Sequence, residues 1–238
     1  MKKESINISS SDLPYLCHHG IKGMKWGVRK GPPYPMDVDG NADKTSDRIT
    51  ILSKGDKAYR VSSVSDERNS GHAFISYKDK DHETYINHVK ELKQVFGDDK
   101  WSGYDMTLKV TKDLVAPSKK RAVDELIKAC DNNPETRKEY AKAASKMHIF
   151  KPSGIIEKQL NNCKSDKEIA NVYRDISLAA ATSTSFREKY FSKLQRQGFN
   201  AMYDGGDMSG KGANTEAPIL VFERNGYLDV VKTERITL

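Results

Sequence analysis

Residues 49–61 read ITILSKGDKAYRV. Ile49 to Leu52 and Ala58 to Val61 are strand-sized runs, and Lys54-Gly55-Asp56-Lys57 between them has turn composition. Outward from this stretch, His72 to Tyr77 is another short apolar-aromatic run. Thr84, Tyr85, Val89, Leu92 and Phe96 then lie near one helical face. Tyr104 to Val110 alternates Tyr, Met, Leu and Val against Asp, Thr and Lys, which is strand period. A helical middle follows. Ser118 is placed to cap a helix running through Cys130, with Ala122, Val123, Leu126 and Ile127 inward. Pro134 opens a second helix that reaches Met147. Two more fit Gly154 to Leu160 and Lys167 to Ala181. Ser185 and Glu188 have capping-box spacing for a helix that ends before Gly198. Strands return at Phe199 to Tyr203, Ile219 to Phe222 and Leu228 to Val231. Strands at both ends and helices between them predict an α+β fold with a mixed or antiparallel sheet, not βαβ repeats.

The chain has 238 residues with 40 Lys and Arg against 33 Asp and Glu, a net charge of +7. Its 11 Tyr and 7 Phe are enough to anchor a core, which argues against wholesale disorder. The longest apolar run, Ala217 to Phe222, is far below the roughly 18 residues that span a bilayer, so no membrane partner is expected. The first residues carry Lys2 and Lys3 with no apolar stretch behind them, which does not read as a secretory signal. Three cysteines, Cys17, Cys130 and Cys163, make a disulfide framework a poor expectation and a reducing compartment the simpler one.

The positive charge is uneven. Residues 1–35 hold six lysines and arginines against two acids, so +4 of the total lies there. A nucleic-acid-binding surface on the main body is therefore not expected. Four of the eight prolines also fall in this part. Pro32, Pro33 and Pro35 cannot continue a helix or a central strand. The organisation expected is a basic N-terminal segment over 1–30, a Pro/Gly linker over 31–46 and an α+β domain over 47–238.

Residues 16–30 read LCHHGIKGMKWGVRK. Trp26 among Lys25, Arg29 and glycines has the composition of an interface anchor. Cys17, His18 and His19 are adjacent, and neighbouring ligands alone cannot close a tetrahedral site, so no metal is expected. The run HHGIKGMKWGVRK resembles a short segment carried by many bacteriophage and prophage proteins beside unrelated domains. That resemblance implies phage origin. It also implies docking of residues 16–30, through Trp26, Lys25 and Arg29, on a phage structural or packaging protein.

A second constellation is spread along the body: Tyr59-Arg60-Val61 after a tight turn, GHAFISY over 71–77, Tyr85 on the helix that follows, and Glu216 before the apolar run EAPILVF. This order resembles the ADP-ribosyltransferase superfamily. The aromatic-Ser strand followed by a helical Tyr is similar to the diphtheria-toxin and poly-ADP-ribose-polymerase branch, whereas Arg60 in place of His is more like the cholera-toxin branch. FNAMYDGG over 199–206, with EAPILVF after it, also looks like the C-terminal part of phage-encoded members. The resemblance spans Tyr59 to Val231 on few fixed points. It implies an ADP-ribosyltransferase-like fold, NAD as substrate, Glu216, Arg60 and Ser76 as catalytic residues, and Tyr59, Arg60, Tyr77 and Tyr85 as NAD contacts.

The chemistry suits those residue types. Cleaving the nicotinamide–ribose bond develops oxocarbenium character, which a carboxylate at Glu216 stabilises. The planar fork of Arg60 matches a phosphate. Ser76 fits a contact to the ribose, and Tyr77 or Tyr85 a stack on nicotinamide. Plainer roles stand beside these: a strand-surface Arg60 or structural ion pair, an ordinary strand Ser76, core positions for Tyr77 and Tyr85, and a loop cap at Glu216. Two lookalikes are set aside. Thr182-Ser183-Thr184-Ser185 precedes a helix and reads as a cap. Gly205 to Gly212 lacks the hydroxyl after Gly210-Lys211 and the following helix of a phosphate loop, and is expected to be a flexible loop facing the protein substrate.

The function expected is a phage-encoded ADP-ribosyltransferase-like protein acting on a host macromolecule, in the virion or the host cytoplasm. Two other classes fit the same sequence. One is a non-enzymatic virion or packaging protein that docks through its WGVR segment. The other is an inhibitor that binds a host defence protein.

Overall fold

The computed structural model describes residues 47–63, 71–97, 102–148, 151–208 and 215–238. The basic segment, the linker and the docking residues Lys25, Trp26 and Arg29 lie outside the described residues. The elements in chain order are β1 (Arg48–Leu52), β2 (Lys57–Ser62), β3 (Ala73–Ile75), α1 (Asp79–Phe96), β4 (Tyr104–Val110), β5 (Leu114–Pro117), α2 (Lys119–Asn132), α3 (Pro134–Ser145), α4 (Ser153–Asn161), α5 (Asp166–Thr182), α6 (Thr184–Gln195), β6 (Ala201–Tyr203), α7 (Gly205–Met208), β7 (Ile219–Val221) and β8 (Leu228–Arg235). The fold is α+β, and every pairing among the described strands is antiparallel.

The stretch 49–61 does not close on itself as a hairpin. β1 pairs with β5, and β2 pairs with β4. Segments 48–62 and 104–117 thus form one long ribbon, from Arg48 opposite Pro117 to Ser62 opposite Tyr104. The ribbon bends at its middle. There Asp56 N donates to Ser53 O at 3.1 Å and Val110 N to Asp56 O at 2.9 Å, and Gly55 takes φ +102°, a conformation side chains resist.

A three-stranded sheet, β3-β7-β6, connects to both halves of the ribbon. Its nine residues are all buried, as expected for strands covered on both faces. It meets β2 through a bridge between Tyr59 and Ser76, and β5 through Asn200, whose N donates to Val115 O at 3.0 Å. β8 lies on the other side of β4.

The helices form where caps and apolar stripes coincide. Ser118 Oγ accepts from Arg121 N at 3.1 Å at the start of α2, and Asn133 Oδ1 from Glu135 N at 3.0 Å at the start of α3. The α6 cap is a correction. Ser183, two residues before the expected Ser185, accepts from Phe186 N at 3.2 Å. The true capping box is Ser165 with Glu168, at α5. Helices α2, α3, α5 and α6 bury Tyr140, Phe186, Tyr190 and Phe191 between them, and Phe191 stacks on Phe222 at 4.1 Å. The buried charge in this layer is fully matched: Asp175 accepts from His148 and Lys151, each at 2.8 Å, and from Arg174 at 3.1 Å. These partners hold its carboxyl below the ordinary range despite burial.

Two elements departed from expectation. β5 was unmarked, and part of the glycine loop is helical. In α7 the chain passes so close to α5 that a Cβ at Gly205 would come within 2.9 Å of the Arg174 backbone. No helix among the described residues is long and apolar enough to cross a membrane.

Candidate functional site

The three motif-bearing segments lie side by side. Tyr59 N donates to Ser76 O at 2.7 Å and Ser76 N to Tyr59 O at 2.8 Å, so β2 adjoins the end of β3. β3 pairs in turn with β7, Ile75 opposite Ile219, which brings residues 76–78 alongside 216–218.

Glu216 sits at this end, where the first turn of α1 holds it. Lys80 Nζ is 2.7 Å from one carboxylate oxygen and Lys78 Nζ 3.3 Å from the other. These two cations hold the carboxyl below its usual range, and its side chain remains 43% exposed. Its backbone is held from beneath. Asp81, 1% exposed, accepts from Glu216 N at 2.8 Å with one oxygen and from Ala217 N at 2.9 Å with the other. Hydrogen bonds to a charged acceptor are stronger than those between neutral groups. An acid in the first turn also complements the helix dipole.

One turn further along α1, Tyr85 is buried. Its hydroxyl donates to Asp207 at 2.6 Å and lies 3.3 Å from the Thr215 hydroxyl. Burial beside Asp207 pushes its pKa well above the ordinary phenol value. Spacing of four residues places Asp81 and Tyr85 on one helical face, and that face grips residues 215–217. Nearby, Asp204 N donates to Pro218 O at 2.8 Å and Asp204 Oδ1 accepts from Gly206 N at 2.9 Å.

The expected site residues divide as follows. Tyr77 is half-buried close enough to Glu216 and Asp81 for their charges to raise its pKa, after burial itself. Ser76 is buried opposite Tyr59. Tyr85 is a core residue tied to Asp207. Tyr59 stands on the α1 face of β2. Its ring stacks on His82 at 4.0 Å, its hydroxyl donates to Asp79 at 2.9 Å, and Lys57 Nζ lies 4.6 Å from the ring centre. Arg60, its neighbour in the strand, turns to the other face, opposite Met106, with one guanidinium nitrogen enclosed. Successive strand residues cannot present their side chains to one ligand from one face. The carboxylate of Glu216 is held by Lys78 and Lys80, not by Arg60.

Lys78, Lys80, Asp81, Thr215 and Asp207 were not singled out from the sequence. Nor was the pair of His82 Nε2 with Asp105 Oδ1 at 2.7 Å, next to Tyr59. The Lys-Asp-Lys-Asp run at 78–81 was the one available signal, and it reads equally well as a solvated helix start. Its partners are about 135 residues away in sequence. No group of His, Cys, Asp and Glu among the described residues is placed to hold a metal ion.

Chemically, the arrangement is an ionised carboxylate at the lip of a sheet, fixed through its backbone and reachable from solvent, with a phenol beside it. Comparison with known proteins adds little to this. No curated protein and no solved structure matches the chain. Residues 12–33, which include the HHGIKGMKWGVR run, are similar to a family of unknown function (DUF7211).

Proposed function

We propose that the body is an ADP-ribosyltransferase-like domain of a phage-encoded protein, transferring ADP-ribose from NAD to a host macromolecule, with residues 16–30 docking on a phage structural or packaging protein. The observation that carries this reading is the adjacency of β2, β3 and the start of β7. It gathers the Tyr59, Ser76-Tyr77 and Glu216 segments at one end of a sheet.

In the reaction, the bond between ribose C1′ and the nicotinamide nitrogen breaks, and nicotinamide leaves with the electron pair. A nucleophile of the host target then bonds to C1′ and gives up its proton to solvent. Glu216 faces the positive sugar as an ionised carboxylate, which needs no proton transfer of its own. Tyr77 flanks it and offers a ring face for nicotinamide. Lys78 and Lys80 leave the carboxylate as the sugar arrives and meet the diphosphate. They take the role that the sequence assigned to Arg60, whose side chain lies on the far face of β2.

The test is incubation of the full chain with labelled NAD and host lysate, wild type beside Glu216→Ala. The expected result is labelled host product in wild type, reduced by about 10²–10³-fold in the variant, the usual effect of removing a preorganised electrostatic partner. Equal labelling by both overturns the role of Glu216. Labelling by neither overturns the transferase reading and leaves the docking-protein reading.

A further inference from the structure

We propose that Tyr59 is the stacking platform for the adenine of the dinucleotide, with His82 and Asp105 bracing its ring from behind. The inference rests on the transferase reading. It adds the far end of the ligand to the nicotinamide, sugar and diphosphate that Tyr77, Glu216, Lys78 and Lys80 take.

The ring of Tyr59 has two unlike faces. Lys57 and Val61 lie two residues to either side of it in β2, so all three side chains leave the same face of the sheet. On the Val61 side α1 covers that face, with Tyr85 and Val89 packed on Val61. His82 comes from this side. Its Nε2 lies 2.7 Å from Oδ1 of Asp105, the residue paired with Val61, and its ring is 4.0 Å from that of Tyr59 at an interplanar angle of 7°. The two bracing side chains are 15% and 22% exposed, so the stack is held within the fold. The hydroxyl of Tyr59 adds a third fixed point by donating to Asp79 at 2.9 Å.

With the imidazole on one face, the other face of the ring looks toward Lys57, whose Nζ is 4.6 Å from the ring centre. Lys57 is exposed, and its ammonium sits on a flexible stem. A cation over an exposed ring is held more weakly than a stacked base, so a flat base displaces it.

This open face looks toward the rest of the site. The bridge between Tyr59 and Ser76 is antiparallel, which sets Lys57 opposite Lys78, and Lys78 Nζ is 3.3 Å from the Glu216 carboxylate. Lys109 lies opposite Lys57 on its other side and is exposed as well. From Tyr59 to Glu216 is two strands across and two residues along, about 12 Å at ordinary sheet spacings. A ribose and a diphosphate bridge that distance, passing over Lys57 and Lys78. A ring at one end, a carboxylate at the other and cations between them match the base, the developing positive sugar and the phosphates of NAD in their order.

The test is calorimetric titration of the full chain with ADP and, separately, with nicotinamide mononucleotide. ADP binds the wild type, and Tyr59→Leu weakens it about 10- to 100-fold, the usual effect of removing a base-stacking ring. Tyr59→Phe keeps the ring and stays close to wild type. His82→Ala removes the brace and weakens ADP less than Tyr59→Leu does. None of the three changes the binding of nicotinamide mononucleotide, which separates a base subsite from general damage to the fold, and circular dichroism shows that each variant is folded. Three results overturn the proposal: a wild type that binds no ADP, ADP binding that Tyr59→Leu leaves unchanged, or a Tyr59→Leu variant that loses both ligands together. Neither ligand needs the transfer step. ADP held through Tyr59 by a chain that labels no host product therefore supports the subsite and removes the transferase reading alone, whereas labelling without ADP binding removes the subsite alone.

Discussion

The two sides of this molecule are closed by different forces. Between α2, α3, α5 and α6 the contacts are rings on rings. Phe186 stacks on Tyr190 at 5.5 Å and Phe191 on Phe222 at 4.1 Å, and the hydroxyl of Tyr190 donates to Ala122 O at 2.7 Å. Around α1 the apolar cluster is small: Val61, Tyr85, Val89 and Ile236, with Ile86 at its margin. Polar ties supplement it. Asp81 bonds Glu216 and Ala217, Tyr85 bonds Asp207, His82 bonds Asp105, and Lys93 Nζ bonds Ile236 O. Apolar burial is strong but non-directional, whereas a buried hydrogen bond fixes position and is costly to leave unmade. The candidate site lies on the side where direction, not burial, does the holding.

Three substitutions break or sharpen that contrast. Tyr190→Ala strikes the ring layer. It removes a fully buried ring and leaves Ala122 O without its donor. The expected loss is about 3–5 kcal/mol, read from urea unfolding with an unchanged slope. A loss under about 1.5 kcal/mol would mean that the layer is loosely packed after all.

Asp81→Ala strikes the polar side. The expected global loss is smaller, about 1–3 kcal/mol. Its signature is local: the amides of Glu216 and Ala217 lose protection from hydrogen exchange, while those of α5 and α6 keep theirs. Equal acceleration in both regions would show that the two sides unfold as one unit and erase the distinction.

Lys80→Ala gives the smallest effect, under about 1 kcal/mol, because the pair with Glu216 faces solvent. The sign with pH is definite. Lys80 and Lys78 lower the Glu216 pKa in the folded state, so their contribution is present above the ordinary glutamate value and is lost as pH falls below it. In K80A the carboxyl should titrate closer to that ordinary value when followed by NMR, and added salt should narrow the gap from wild type. An unmoved Glu216 titration in low salt would place its main cation elsewhere.

Much of the architecture was readable because its causes are local. Tyr104 to Val110 alternates and forms a strand over those same residues. Ser118 and Pro134 begin helices because a hydroxyl three residues from an amide, or a ring that fixes φ, acts within one turn. β5 escaped because Leu114 to Pro117 is four residues, largely buried, without alternation and ending in proline. The capping box of α6 was misplaced because Thr182 to Ser185 offers several hydroxyls at neighbouring positions, and only packing of Phe186 into the core selects Ser183.

The site was readable only in pieces. Glu216 stood out as an acid before an apolar strand, but that α1 would hold it, and that Tyr85 would turn inward to Asp207, did not. Tyr59 and Arg60 were both expected to contact NAD because the resemblance implied it. Adjacency in a strand is what separates them.

By itself, then, the amino-acid order determined the class of fold, the main helices and most of the strands, because hydrogen-bond period, caps and turn residues act over three or four positions. Only the tertiary structure decided that residues 48–62 would pair with 104–117 instead of folding back on themselves. It also decided that Asp81 would meet a backbone some 135 positions away. Those choices depend on which distant surfaces exclude water together, and no local pattern records that.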